Sequence, residues 1–383
     1  MDLSFLTSIR GTTGPVSSVI VNASRDAEDT DHAVRVRWSK ARADLSSQGA
    51  DEETLAAMDS VVGDTHGVPG QHGHVVYAAD GTVLAQAVVT EFPQDYRARV
   101  GPLPDPLLYV YSESPRVPYV LAVVDTLGAD LWTVHADGRA TTQRVEGEDW
   151  PVHKVREGGY HHNQMQRTVD NRVADNAGRV AGAIAQTLRG TEADIVAIAG
   201  EIAVRGEVRA RLPDWAEPKA VDLEAGSRPT GSSTTPLNDE LRGILAGIAQ
   251  RELDEAIAEF EQGRANRERT TEGLASVVHA LQRGQVRTLL WSTARRDTET
   301  WLWFGPSAEQ LALTSQEVRD MGVQDPVAEY AAPVLLRAAA AGSAELLLVP
   351  QHRTTTANAG TEPVELTDGI GALLRFDDPT MTS

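Results

Sequence analysis

The sequence predicts a multidomain α/β protein made of three mixed α/β domains, and three observations lead there. The stretch GHVVYAADGTVLAQAVV (73–89) places two β-rich runs about Asp80-Gly81, the dipeptide of a two-residue hairpin turn. A three-strand meander pattern beginning at Tyr119 gives way to alternating strand and helix, which calls for a mixed sheet with helices laid on it. The last third alternates helix and strand again, the order of a small α/β/α sandwich. A chain of 383 residues divides into two or three domains of roughly 100–150 residues each.

The first domain, 1–117, opens with the apolar run Val16–Val21, a strand. The acidic turn SRDAEDTD then supplies helix-starting residues ahead of a helix over His32–Leu45, and a second helix is expected over Asp51–Val62. The hairpin follows, and the proline-punctuated PLPDPLLYVYSESPRVP (102–118) forms the exit.

The second domain, 118–264, begins YVLAVVDTLGADLWTVHADGRATTQRV, with turns expected at Gly128 and Asp137-Gly138. From Asn163 to Leu188, Met165, Val169, Val173, Ala177, Val180, Ala181 and Ile184 recur at spacings of three and four, the period of an amphipathic helix. Arg167, Arg172, Arg179 and Arg189 fall on its other face. A strand (193–201), a helix (203–212) and a strand (220–226) follow. After the apolar-poor loop GSRPTGSSTTPLND, a helical pattern runs from Pro236 to about Arg264 and links two domains.

The third domain, 265–383, is the C-terminal α/β/α sandwich. It reads as a helix (Glu272–Arg283), a strand (Val286–Trp291), a Trp-rich segment (Trp301–Phe304), a helix (Pro326–Ala341) and strands at Glu345–Val349 and Ile370–Phe376. Trp291, Trp301 and Trp303 either stack on a partner or fill the core, the usual place for β-rich tryptophans.

Composition removes several functions. The chain carries 35 Lys and Arg against 55 Asp and Glu, a net charge of −20, so a uniformly basic nucleic-acid surface is excluded and any RNA contact must be local. The absence of cysteine excludes disulfides, thiolate metal sites and cysteine nucleophiles. No P-loop, H-E-x-x-H or G-x-S-x-G motif occurs, and Gly369-Ile370-Gly371 lacks the rest of a dinucleotide fingerprint. His66, His72 and His74 lie in a Gly-rich stretch without a paired carboxylate at a recognisable spacing; they are expected in a surface loop rather than around a metal. No cofactor or metal is expected. The apolar stretch 331–350 is interrupted by Arg337, Gly342 and Glu345, too often for a membrane span. The N-terminus lacks the pattern of a secretory signal, so a cytoplasmic location is expected.

One segment is locally basic. HKVREGGYHHNQMQR (153–167) gathers Lys154, Arg156, His161, His162 and Arg167 around Gly158-Gly159, and 151–190 holds six basic and three acidic residues. Two consecutive glycines admit positive φ and carry no side-chain bulk, so such a tip enters a confined place where only backbone fits. Arg35, Arg37, Lys40 and Arg42 form a second basic cluster, either an RNA-facing surface or a solvated helix face.

The order of these parts resembles archaeal and eukaryotic class-1 release factors and their relative Pelota, specifically the bacterial branch that includes Balon-type ribosome hibernation factors. The resemblance rests on YVLAVVDTLGADLWTV, the Gly-Gly loop before a long Arg-bearing helix, the interdomain helix, and the closing pair AELLLVP (344–350) and DGIGALLRF (368–376). It implies a release-factor-like central domain whose Gly158–Gln164 loop reaches the peptidyl-transferase centre. A first domain facing the decoding centre, and a C-terminal sandwich contacting elongation factor Tu or a related translational GTPase, are also implied.

In release factors a catalytic glutamine follows the glycine pair; here that position is Tyr160. A phenol does not reproduce the donor and acceptor geometry of a short amide, so the resemblance implies occupancy of the 70S ribosomal A site by a monomer, as a hibernation or stress factor, without peptide release. Lys154, Arg156, Gly158, Gly159, Tyr160, His161, His162, Gln164 and Arg167 are the expected ribosome-contacting loop, with Arg172 and Arg179 facing RNA. The stop-codon motif Asn-Ile-Lys-Ser is missing. Two other readings stay open: a peptidyl-tRNA hydrolase using Gln164 or Gln166, and a stress-linked adaptor that binds protein through the C-terminal sandwich.

Overall fold

The structure is a computed structural model that describes residues 14–24, 30–65, 72–89, 92–111, 117–135, 140–146, 162–191, 193, 195–224, 235–293, 295, 300–350 and 364–376. It is a mixed α/β chain of two compact units, one comprising residues 1–114 with 253–383 and the other residues 115–252.

In the first unit, β1 (Val16–Asn22) is flanked by β2 (Gly73–Ala79) and β4 (Tyr96–Gly101), with β3 (Thr82–Val89) beyond β2; all pairings are antiparallel. The Asp80-Gly81 hairpin forms as expected, both residues at positive φ. Helices α1 (Thr30–Ser47) and α2 (Glu52–Asp59) cover one face. Val34, Trp38, Ala41 and Leu45, spaced as one helical stripe, are buried, and the last three join Val19, Val21, Val76, Leu55 and Met58 in one cluster. Asp51 caps α2, accepting from the Thr54 N–H at 2.8 Å. A short helix, α3 (Leu107–Val110), lies within the proline-rich exit.

The other face of this sheet shares a core with the C-terminal third. Val16, Ile20, Val75 and Tyr77 belong to one buried cluster with Val277, Leu289, Trp291, Leu302 and Leu335. The proposed first and third domains therefore fold against each other, a closure that distant segments achieve and local sequence does not display.

In the second unit the sheet runs β7-β6-β5-β8-β9. The strands are β5 (Tyr119–Asp125), β6 (Gly128–Val134), β7 (Ala140–Glu146), β8 (Ile195–Gly200) and β9 (Ala220–Asp222). β5, β6 and β7 form the antiparallel meander, while β8 and β9 extend it in parallel from β5. Gly128 holds φ +153°, and a Cβ there would sit 2.0 Å from the Val145 carbonyl oxygen, so only glycine fits this turn. Helix α4 (His162–Arg189) buries Ala177, Val180, Ala181, Ile184 and Leu188 with Val120, Leu131 and Ile198. Helix α5 (Ile202–Arg209) completes that layer through Val204 and Val208.

Helix α6 (Thr235–Asn266) crosses the division between the units. Its Leu237 and Leu241 bury with Leu121, Val123 and Leu223, whereas Ile257 and Phe260 bury with Leu290, Val349 and Leu373.

The C-terminal sheet has the order β10-β16-β11-β15, formed by β10 (Thr270–Glu272), β11 (Val286–Ser292), β15 (Glu345–Val349) and β16 (Ile370–Leu374). Leu290 and Leu373 face α6, while Leu289, Trp291 and Ala372 face the cluster containing α7 (Leu274–Gln282) and α9 (Ala331–Ala341), which gives the α/β/α layering.

A second small sheet has β12 (Trp301–Phe304) between β13 (Leu311–Ala312) and β14 (Val327–Tyr330). Here the helix expected over Pro326–Ala341 is corrected: residues 327–330 pair with β12, and the helix starts at Ala331. Cross-strand pairing outside the local window decides this. The short helix α8 (Ser315–Asp320), absent from the sequence reading, has a full capping box between Thr314 and Glu317.

Candidate functional site

The basic segment lies in sequence between β7 and a long helix. β7 ends at Glu146, and α4 begins at His162. Lys154, Arg156, Gly158, Gly159, Tyr160 and His161 lie outside the described residues. His162, Gln164 and Arg167 fall on the opening turns of α4, so their backbones are placed while their side chains lie outside the description. The amino end of this 28-residue helix carries the positive end of its dipole, which adds to the basic character of the adjoining segment.

The helix is anchored on its inner side. Asn176 is buried and donates from Nδ2 to the Thr126 carbonyl at 2.9 Å, tying α4 to the turn between β5 and β6. Arg172 is half-buried and Arg179 exposed, seven residues apart and hence near one helical face. Farther along, the Arg189 guanidinium lies 5.0 Å from the ring centroid of Trp215, a cation–π contact at the surface. The sequence reading missed Trp215 because its partner is 26 positions away on a different element.

The α1 cluster divides by use. Arg37 donates from Nη1 to the Asn22 carbonyl at 3.0 Å. Arg42 donates from Nε to Asp59 at 3.1 Å and pairs through Nη2 with Glu52, carboxylates that hold its guanidinium firmly protonated. Asp59 also accepts from the Trp38 indole at 2.8 Å, so Arg42 is part of a brace between α1 and α2. Arg35 and Lys40 are exposed. The structure thus brings the four together on one helix but leaves only two pointing outward.

The histidine trio is corrected. His72 and His74 are 3% and 2% exposed, His74 on β2 and His72 just before it, rather than in a surface loop. His74 accepts the Gly63 N–H at Nδ1 (3.2 Å), so Nε2 carries the proton and donates to Gln86 Oε1 at 3.2 Å. Burial lowers its pKa, against a smaller opposing effect of Gln86. His72 Nε2 meets Thr65 Oγ1 at 2.7 Å. Both rings are satisfied within the core; His66 lies outside the described residues. Among the described residues no group of three or more His, Asp or Glu is arranged to hold a metal ion. None of their helices is long and apolar enough to cross a membrane.

Residues 118–266 match the profile described as bacterial archaeo-eukaryotic release factor family 2. Two curated Mycobacterium tuberculosis relatives, the uncharacterized proteins Rv2629 and MT2704, are each 25% identical over 367 residues, covering 95% of this chain and 94% of their own. Among solved structures, Archaeoglobus fulgidus Pelota is 13% identical with a TM-score of 0.34, covering 98% of this chain and 92% of that one. A structure described as ribosome-bound archaeal Pelota and ABCE1 is 14% identical with a TM-score of 0.37, covering 98% and 93%.

Proposed function

We propose that this protein is a ribosome-binding, release-factor-like factor that occupies the A site of the 70S ribosome as a hibernation or stress factor and does not release peptide. The observation that carries the reading is the family match over 118–266, which contains both the Gly158-Gly159 pair and α4. In this reading the Gly158–Gln164 loop approaches the peptidyl-transferase centre, and Lys154, Arg156, Arg167, Arg172 and Arg179 meet rRNA phosphates. Tyr160, at the position where release factors have a catalytic glutamine, removes the amide that would help position water. A −20 chain approaches rRNA only through such a local basic stripe, with its acidic surfaces turned to solvent or protein. The partner GTPase is elongation factor Tu or a relative, met through the C-terminal sandwich by a monomer in the cytoplasm.

The test pairs two assays on the full chain. Chemical probing of the peptidyl-transferase centre should show protection by the wild type that is lost in Gly158→Val/Gly159→Val. Incubation with stalled peptidyl-tRNA complexes should leave the ester intact. Peptide release by the wild type would overturn the non-catalytic part, and protection retained by the double variant would overturn the placement of the loop.

A further inference from the structure

Strand β4 is an edge strand whose side chains alternate. Tyr96, Ala98 and Val100 pack toward α1 and α2, which sends Arg97 and Arg99 to the opposite face. On that face lies a cleft of about 650 Å³ whose walls include Arg97, Arg99, Tyr111, Trp301, Glu329 and Tyr330, all within the first unit.

One wall is rigidly built. Glu329 is 1% exposed; its Oε1 accepts the Tyr330 N–H at 2.6 Å and pairs with Arg99 Nη2, while Oε2 has no hydrogen-bond partner. The Arg99 guanidinium lies 5.0 Å from the Tyr330 ring centroid, and the Tyr330 and Trp301 centroids are 4.4 Å apart at an interplanar angle of 35°. Strand pairing fixes the same neighbours, Trp301 opposite Tyr330. Trp301 is nevertheless 51% exposed, while Leu302 beside it is fully buried. The indole is therefore held in place by a buried ion pair, a tyrosine and a strand, yet keeps much of its surface open to solvent. Arg97 is exposed at the same cleft.

Trp301 and the exposed Arg97 guanidinium, which also acts on the charge of Asp105 at the same cleft, together suit a ligand that is planar and anionic. We propose that this cleft binds a nucleotide of single-stranded RNA, its base stacked on Trp301 and its phosphate held by Arg97. Aromatic platforms with arginine are the means by which unpaired bases are gripped without sequence preference. An acidic peptide would use Arg97 but offer no plane to the indole. The volume lies within the range of sites that enclose small ligands, so one nucleotide rather than a duplex fits. The residues of this cleft all belong to the first unit, and the proposal does not depend on A-site occupancy.

The test uses the full chain and fluorescence anisotropy of a labelled ten-nucleotide single-stranded RNA, with the matching duplex and mononucleotides as competitors. The single strand should bind and be displaced poorly by the duplex. Trp301→Ala should weaken it roughly 10-fold and Trp301→Phe much less, as expected for loss of one stacked base. Arg97→Ala should lower the slope of log K against log salt by about 0.7, the value of one phosphate contact on a single strand. Circular dichroism melts of Arg97→Ala and Trp301→Phe should match the wild type, because Arg97 is exposed and phenylalanine keeps a ring against Tyr330. Equal affinity for the duplex, unchanged affinity in both Trp301→Ala and Arg97→Ala, or binding of mononucleotides without binding of RNA would each overturn the proposal. Loss of 70S binding with oligonucleotide binding intact would instead refute only the ribosomal reading.

Discussion

The pairing of Arg99 with Glu329 joins residues 230 positions apart and is a specific test of whether the first and last thirds form one unit. Glu329 is buried at 1% exposure, and Arg99 retains 21% of its side-chain exposure. The two single substitutions should therefore differ. Arg99→Ala strands a buried carboxylate with one backbone donor and should cost about 3 kcal/mol, the low end for breaking a buried pair. Glu329→Gln leaves a guanidinium that still reaches water and keeps an acceptor for the Tyr330 N–H, so a cost of roughly 1–2 kcal/mol is expected. The double variant should cost less than the sum, with a coupling of about 1–3 kcal/mol. Urea unfolding of wild type, both singles and the double, followed by far-ultraviolet circular dichroism, closes the cycle. Additivity within about 0.5 kcal/mol would refute the argument, since distant, non-interacting sites behave that way.

Three further outcomes follow from named contacts. His74 has a folded pKa below its unfolded value of about 6.5, so the stability it contributes is present above that pH and is lost as pH falls toward the folded pKa. Urea midpoints at pH 8 and 5.5 should differ more for the wild type than for His74→Gln; equal differences would remove His74 as the cause. Gly128→Ala should destabilise by roughly 2 kcal/mol or more, because its Cβ would meet the Val145 carbonyl at 2.0 Å, and a melting temperature equal to wild type would contradict that turn. Tyr160→Ala should weaken 70S binding by about 1–3 kcal/mol if the phenol stacks on rRNA, as measured by competition binding; unchanged affinity would show that it does not.

Local pattern carried much of the fold. The hairpin at Asp80-Gly81, the meander and the stripe from Ala177 to Ile184 were legible because turn chemistry and periodicity are written within a few residues. Strand β4, the alternation Tyr96-Arg97-Ala98-Arg99-Val100, takes its place through antiparallel pairing with Val16–Val21, far away in sequence. What pairing across the chain decides was not legible: Val327–Tyr330 became a strand through β12, and His72 and His74 entered the core although glycines surround them. The shared core of the first and last thirds belongs to the same class, since Ile20 and Trp291 carry no local mark of each other.

The basic clusters show a parallel division. Arg37 and Arg42 looked available in the sequence, yet Asn22 and Asp59, 15 and 17 positions away, engage them. Trp301 read as one of three β-rich tryptophans; burial separates it from Trp291, whose indole donates to Tyr111 at 2.9 Å inside the core.

Co-sedimentation of the full chain with vacant 70S ribosomes across a salt series, with and without elongation factor Tu, tests the central claim most directly. The account predicts stoichiometric binding that falls linearly in log K as log salt rises, reflecting the phosphates met by the basic stripe. Absence of binding at every salt concentration, with or without elongation factor Tu, would contradict it.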